Sequence, residues 1–490
     1  MKVALVSAEA VPFSKTGGLG DVVGALFKEF IKKGSIDITL FLPFFRITKN
    51  NFYDKVADSG LVYGVPLGTS KKFGGIRSIR ASIDRDDNLI LNPDKFGNIF
   101  FIEHNDFFDR EELYGTNFGE YLDNAERFIF FSRAVLEICK ALDLNFDIIH
   151  CHDWHTALIP LYLKSIYREG KCFEKTRTIL TIHNLGYQGV FPKEKLNITG
   201  FGWEMFHIDC LEFYGMVNFL KGGLFGADYI TTVSPKYAKE IQTPDFGFGL
   251  DGVLKKRSDK LIGILNGIDY EIWDPSKDKF IACNYDINSF WLKIKNKEDL
   301  INITKIDCAI NQPLFAFIGR MVQQKGIDIL FQAIPKLIDK GARFIFIGTG
   351  EHYYENIVKD LEKNYPGKVF IHIGFDEKLA HKIYAGVDGI IMPSKYEPCG
   401  LSQLIAMRYG TIPIVRKVGG LEDTVEDGIT GFLFEEFTPE AVECAVERFI
   451  DVYYNKNKLN TMIFSAMSRD FSWSKALKDY MKLYREVIQI

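Results

Sequence analysis

Along most of the chain, short and nearly continuous apolar runs alternate with stretches of helical periodicity. The first half carries such runs at residues 3–6, 36–42, 146–150, 178–182 and 229–233. The second half repeats the pattern at 314–319, 343–348, 369–373, 389–392 and 412–415. A strand with one face in water alternates apolar and polar residues. A run without alternation is covered on both faces, as in a parallel sheet between helices. Helices are expected at about 326–339, 400–409 and 437–453. Residues 44–125 break the pattern with Gly, Asp and Asn clusters and read as long loops and hairpins inserted in the first array. The chain is therefore expected to be α/β, with two strand–helix arrays of Rossmann type. The polar stretch Lys255-Lys256-Arg257-Ser258-Asp259 precedes an apolar run at 261–265 and places the join, giving domains 1–257 and 258–472.

Length agrees, since 490 residues exceed one ordinary core. Hydrophobic residues make up 47% and charged ones 25%, the balance of a globular protein. With 60 basic against 64 acidic side chains the formal charge is −4, so nothing argues for nucleic acid or an anionic membrane as partner. Any anion site must then be local. No signal-peptide pattern and no membrane-length apolar run is present, and the eight cysteines are scattered without a CxxC pair. A cytoplasmic protein with reduced thiols is expected.

Ligands of open α/β sheets bind at the carboxyl ends of strands, so the polar residues there carry the candidate chemistry. Lys15-Thr16-Gly17-Gly18-Leu19-Gly20-Asp21 lies between an apolar strand and a helix start. Glycines allow close approach, and backbone N–H groups can meet an anion or a sugar. The plainer reading is a glycine turn kept for packing. In 318–326, Arg320 and Lys325 flank a loop that could grip a diphosphate without a metal, or could be surface cations paired to carboxylates. In 394–403, Glu397 precedes Cys399-Gly400-Leu401 and an expected helix start near Gly400. A carboxylate beside a phosphate is explained if it accepts sugar hydroxyls, and otherwise as a group satisfying the helix dipole. Cys399 reads as buried packing, because no base lies next to it in sequence. His150-Cys151-His152-Asp153-Trp154-His155 resembles a zinc cluster, but strand neighbours point to opposite faces, so only alternate residues could share a site. A strand-end site with Asp153, and His152 as a second candidate, facing a polar ligand and without a metal is preferred. His183-Asn184 and Asn266-Gly267 end two further runs.

Taken in order, these motifs resemble the bacterial glycogen synthase and plant starch synthase family. The matching pieces are Lys15–Asp21, His150–His155, Thr181-Ile182-His183-Asn184, Asn266-Gly267-Ile268-Asp269, Gly319-Arg320 with Gln324-Lys325-Gly326, Glu397–Leu401 and Gly419-Gly420-Leu421. They span nearly the whole chain. The resemblance implies a GT-B fold, two Rossmann-like domains facing across a cleft, with a final helix returning to the first domain. Phe471-Ser472-Trp473 followed by a helical 475–490 fits that crossover, so 473–490 is grouped with the first domain. It implies transfer of glucose from ADP-glucose to the 4-hydroxyl of an α-1,4-glucan with retention, and no cofactor. Ile405 stands where related retaining enzymes often carry a second glutamate, which matches the glycogen and starch synthase branch. Phe375 stands where relatives often have tyrosine near the donor base; it keeps the stacking face and loses a hydroxyl.

Charge then assigns roles. Transfer leaves negative charge on the diphosphate and builds positive charge at the anomeric carbon. Arg320, Lys325 and Lys15 would stabilise the leaving group. Glu397, Asp153 and His183 would hold sugar hydroxyls. Gly17, Gly18, Asp21, Asn184, Asn266, Phe375, Cys399, Gly400 and Leu401 complete the expected substrate contacts. Rivals are a glucan phosphorylase, which needs a cofactor lysine and a longer chain, an inactive glucan-binding relative, and a nicotinamide dehydrogenase, disfavoured because the Lys15–Gly20 turn is not GxGxxG.

Overall fold

A computed structural model describes residues 1–84, 89–92, 97–116, 119–169 and 171–489. The chain divides into two compact units. The first comprises Met1–Val233, Ala238–Ile264 and Trp473–Ile490; the second comprises Ser234–Tyr237 and Leu265–Ser472.

The first unit is built on strands β1 (Lys2–Val6), β2 (Asp37–Pro43), β3 (Ala57–Leu67), β4 (Ser70–Ile83), β5 (Ile99–Glu103), β6 (Ile148–His152), β7 (Arg177–Ile182), β8 (Tyr229–Thr232) and β9 (Leu261–Gly263). Their order in the sheet is β9-β8-β7-β6-β1-β2-β5-β4-β3. From β9 to β5 every pairing is parallel, and β4 then runs antiparallel to both β5 and β3. The parallel strands coincide with the apolar runs, as burial on both faces requires. Within 44–125 the expected hairpin is β3–β4, but β5 is a buried parallel strand that the loop reading missed. Its run Ile99-Phe100-Phe101-Ile102 is apolar enough, and the glycine and asparagine just before it obscured the signal. Residues 85–88, 93–96 and 117–118 of that stretch lie outside the described residues.

The boundary between units falls later than residue 257. Strand β9 pairs with β8, Ile230 opposite Leu261, so the apolar run at 261–263 completes the first sheet before the chain leaves it. The C-terminal segment returns to the first unit as a helix, Trp473–Val487; Ile490 lies outside the described residues. Trp473, Leu477, Tyr480, Tyr484 and Val487 recur at helical spacing and are buried in the core with Val23, Phe27 and Phe30 of the helix Gly18–Lys33. The Tyr484 ring stacks on Phe30 with centroids 5.5 Å apart.

The second unit holds β10 (Leu314–Ile318), β11 (Arg343–Gly348), β12 (Val369–Ile373), β13 (Gly389–Met392), β14 (Ile412–Arg416) and β15 (Phe432–Phe434). Their order is β12-β11-β10-β13-β14-β15, parallel throughout. The helices Ile327–Asp339 and Pro439–Tyr453 match expectation, the latter capped by the Thr438 hydroxyl, which accepts from the Ala441 N–H. The helix Ser402–Arg408 begins two residues after Gly400, whose φ of +72° is left-handed and cannot start a helical turn. Among the described residues no helix is long and apolar enough to cross a membrane.

Leu477 is 3% exposed in the returning helix. Leu477→Ala is expected to lower stability by about 2–5 kcal/mol through lost burial and the cavity left behind. Thermal unfolding measured in parallel with a second-unit variant, Leu330→Ala, checks whether the loss falls on the first unit's transition.

Candidate active site

Where strand order reverses in a parallel sheet, the loops after the two flanking strands diverge and leave a crevice. In the second unit that point lies between β10 and β13. The loop after β10 carries Arg320, the short turn Gln323–Lys325, and Gly326 at φ +67°. A Cβ on Gly326 would stand 1.9 Å from the Pro393 carbonyl oxygen, so only glycine lets this loop touch the one after β13. The Lys395 N–H donates to the Gln324 carbonyl at 2.8 Å and ties the loops together. Beside this contact Lys325 Nζ donates to Glu397 Oε2 at 2.6 Å, and the Ser394 hydroxyl donates to the same oxygen at 3.0 Å. The Glu397 side chain is 6% exposed and that of Lys325 is 21%. The two groups assigned to sugar and phosphate are thus held against each other, while Arg320 stands exposed on the same loop.

The segment after Glu397 is braced from below. Gln403 Nε2 donates to the carbonyls of Cys399 and Gly400, each at 3.0 Å, and the Gly420 N–H donates to the Glu397 carbonyl at 3.1 Å. Cys399 is buried within hydrogen-bond reach of Asn266, and burial pushes its thiol up to about 12, which removes it as a nucleophile. Asn266 is itself 6% exposed. Leu401 packs on the core and precedes the helix. Phe375 follows β12 and is 82% exposed.

In the first unit the reversal lies between β1 and β6. After β1 comes Glu9, 3% exposed, and its carboxylate organises the glycine loop. It accepts from the Thr16 N–H at 2.5 Å, the Thr16 hydroxyl at 2.8 Å, the Gly17 N–H at 3.4 Å and the Tyr114 hydroxyl at 2.7 Å. The expectation that this loop's N–H groups meet an anion is therefore corrected at Thr16 and Gly17. A carboxylate seven or eight residues away already takes those donors. Cβ atoms on Gly17 or Gly18 would meet nothing within 4 Å, whereas one on Gly24 would stand 2.4 Å from the Val11 carbonyl. Packing thus demands glycine at 24, and Gly17 and Gly18 face open space. Lys15 Nζ donates to Asp21 at 2.7 Å in an exposed pair.

The loop after β6 carries Asp153 in left-handed conformation, φ +55°. This turn aims its carboxylate at the end of β7, where Oδ1 accepts the His183 N–H at 2.7 Å. Burial raises Asp153 to about 7, against the pull of backbone N–H groups of His183 and Asn184, and the nearby charge of Glu9 adds to the rise. The Asn184 side chain accepts from the Gly186 N–H at 2.9 Å and shapes its own turn. His150 and His152 share one face of β6, with rings 4.3 Å apart, while His155 stacks on Tyr114 at 4.7 Å. Both His150 nitrogens are committed, Nδ1 to the Tyr484 hydroxyl at 2.7 Å and Nε2 to the Thr181 hydroxyl at 2.6 Å. Among the described residues no group of three or more His, Cys, Asp or Glu is arranged to hold a metal ion.

Sequence reasoning missed Glu9, Tyr114, Ser394 and Gln403. Glu9 carried a signal, being an acidic residue three positions after the end of a buried strand. The others act through folded contacts without a motif of their own.

Two Rossmann-like units with polar loops at their reversal points are the parts of a GT-B fold, and similarity to known proteins places the chain among the glycosyltransferases of that class. The family model described as starch synthase catalytic domain matches residues 2–256, and that described as glycosyl transferases group 1 matches residues 301–463. The glycogen synthase of Thermodesulfovibrio yellowstonii is 67% identical over 488 residues, which cover 100% of this chain and 98% of that protein. That of Koribacter versatilis is 41% identical over 496 residues, covering 100% and 99%. Among solved structures, the catalytic domain of starch synthase IV from Arabidopsis thaliana, bound to ADP and acarbose, matches with a TM-score of 0.87 at 32% identity, covering 100% of this chain and 99% of that one. The chain belongs to the glycogen and starch synthase family.

The raised Asp153 predicts a stability trade. Its folded value of about 7 lies above the ordinary 3.8, so the native state holds an extra proton between those values and wild-type stability falls as pH rises from about 4 to 7. Asp153→Asn keeps an acceptor for the His183 N–H and escapes that penalty. Denaturant unfolding should show the variant gaining on wild type across that window, with a constant advantage above it. A relative stability that does not change between pH 4 and 8 would refute the shift.

Proposed function

We propose that the chain transfers glucose from ADP-glucose to the non-reducing-end 4-hydroxyl of an α-1,4-glucan, with retention at the anomeric carbon. The observation that carries this reading is the meeting of Lys325 and Glu397 at the reversal point of the second sheet, with Arg320 on the same loop. A lysine set against a buried carboxylate, with an arginine on the same loop, suits a ligand that carries both a diphosphate and sugar hydroxyls. Membership of the family supports a glucan acceptor, and a similar starch synthase bound to ADP supports an adenine nucleotide as leaving group.

In this reading the bond between the anomeric carbon and the diphosphate oxygen breaks as the acceptor oxygen bonds to the same carbon from the same face. The acceptor's proton passes to the departing phosphate. Arg320, Lys325 and Lys15 stabilise the charge that develops on the diphosphate, which is where fixed charges lower a barrier most. Lys325 exchanges its pairing with Glu397 for the phosphate, and Glu397 turns to a sugar hydroxyl. Asp153 and His183 hold further hydroxyls. Phe375 stacks on the base. Asn266, Cys399, Gly400 and Leu401 shape the wall behind the diphosphate.

Arg320→Ala and Lys325→Ala are each expected to lower turnover roughly a hundredfold or more, about 3 kcal/mol in the barrier, with melting temperature little changed in Arg320→Ala and lowered in Lys325→Ala, which leaves the buried Glu397 carboxylate without its cation. Nucleoside diphosphate release from ADP-glucose and from UDP-glucose, with and without a glucan primer, measures this. Primer-dependent ADP release is the expected result. Near-normal turnover in both variants would end the clamp assignment, and primer-independent release would end the transferase reading.

A second expectation concerns the glycine loop. Because Gly17 and Gly18 face open space, Gly18→Ala should leave stability within about 1 kcal/mol of wild type. Its KM for the nucleotide sugar should nonetheless rise if a ligand approaches that backbone. An unchanged KM would assign the space to solvent.

A further inference from the structure

His183 is held at two points, and the second has a consequence for its chemistry. Its backbone N–H is fixed by Asp153, and its ring nitrogen Nε2 lies 3.0 Å from His152 Nδ1. Burial lowers both imidazoles well below their ordinary range, His183 to about 3, so each is neutral and the two nitrogens share one proton. Which ring donates is decided at the far side of His152. Its Nε2 is buried without a hydrogen-bond partner among the described residues. If His183 donated, His152 would carry its own proton on Nε2, a buried N–H with no acceptor. If His152 donates from Nδ1, Nε2 is a bare lone pair. An orphaned buried donor is the rarer and costlier of the two.

The backbone of His152 is fixed by Thr156, and its ring is in contact with His150. The Thr156 hydroxyl accepts from its N–H at 2.8 Å and donates to its carbonyl at 2.9 Å. One face of its ring lies against His150, which is fixed between Tyr484 and Thr181, and Thr181 in turn meets the Thr231 hydroxyl at 2.5 Å. The run of contacts reaches from the returning C-terminal helix through β6 and β7 to β8.

We propose that His152 is a positioning residue that donates its Nδ1–H to His183 and holds that ring as the Nδ1–H tautomer, presenting a hydrogen-bond donor to a hydroxyl of the transferred sugar. The assignment rests on the reading of His183 as a sugar-binding side chain. It makes His183 complementary to Asp153, since the carboxylate accepts from a hydroxyl and the imidazole donates to one.

Protein labelled with 15N at histidine, studied by two-bond 1H–15N correlation at neutral pH, reads the tautomer directly, with His183→Ala and His152→Asn supplying assignments. The expected spectrum has His183 protonated at Nδ1 and bare at Nε2, and His152 protonated at Nδ1. A His183 protonated at Nε2 would overturn the proposal. Kinetics supply the functional arm. His152→Leu is expected to lower kcat/KM about tenfold, the worth of one oriented hydrogen bond. His152→Asn, whose amide can donate from nearly the same place, should recover at least several-fold of that loss at a similar melting temperature. Equal losses in the two variants would overturn positioning through this hydrogen bond. Wild-type turnover in His183→Ala would instead overturn the sugar-binding role of His183, and with it the purpose given to His152; the tautomer signal tells the two failures apart.

Discussion

In each sheet the chain leaves a central pair of parallel strands in opposite directions, and the rest of the chemistry hangs on that reversal. Right-handed crossovers send the helices that follow β10 and β13 to opposite faces of the second sheet, so the loops between strand and helix part above the strand ends. The same holds for β1 and β6 in the first. Backbone polar groups at such places have no ladder partner, and the gap must be satisfied by side chains or by a ligand. Here it is filled by charged and hydroxyl side chains, Glu9 with Thr16 and Tyr114 in one sheet and Lys325 with Glu397 and Ser394 in the other.

The two reversal points use charge differently. In the second unit a buried carboxylate is offset by a lysine, and an exposed arginine lies on the same loop. In the first unit Asp153 and the histidines around it are pushed toward neutrality by burial: Asp153 up to about 7, His150 and His183 down to about 3. Neutral, hydrogen-bonded groups discriminate hydroxyls by geometry, whereas fixed charges answer a diphosphate.

Much of this was legible in the order of residues. The apolar runs marked most of the parallel strands, because a strand buried on both faces has no polar positions to hide it. Strand β5 escaped, since its short run lies among turn residues and its identity as a strand depends on β2 beside it. The alternation rule separated His150 and His152 from Cys151 and so argued against a zinc cluster, and the folded strand places those two rings together. The glycine loop was visible as a motif, yet its N–H groups serve Glu9, a pairing that no spacing rule announces.

The sequence by itself determined which residues stand at strand ends, because apolar periodicity is a local property and the polar residue that follows a run is read directly. Only the tertiary structure decided which of those ends are neighbours. Lys325 and Glu397 are separated by 72 positions and meet because β13 adds beside β10 instead of beyond β12. His152 meets His183 because β7 lies beside β6. Strand adjacency is set by helices packing on both faces of the whole sheet and by the crossovers that closing it requires, and those terms are absent from any single segment of the chain.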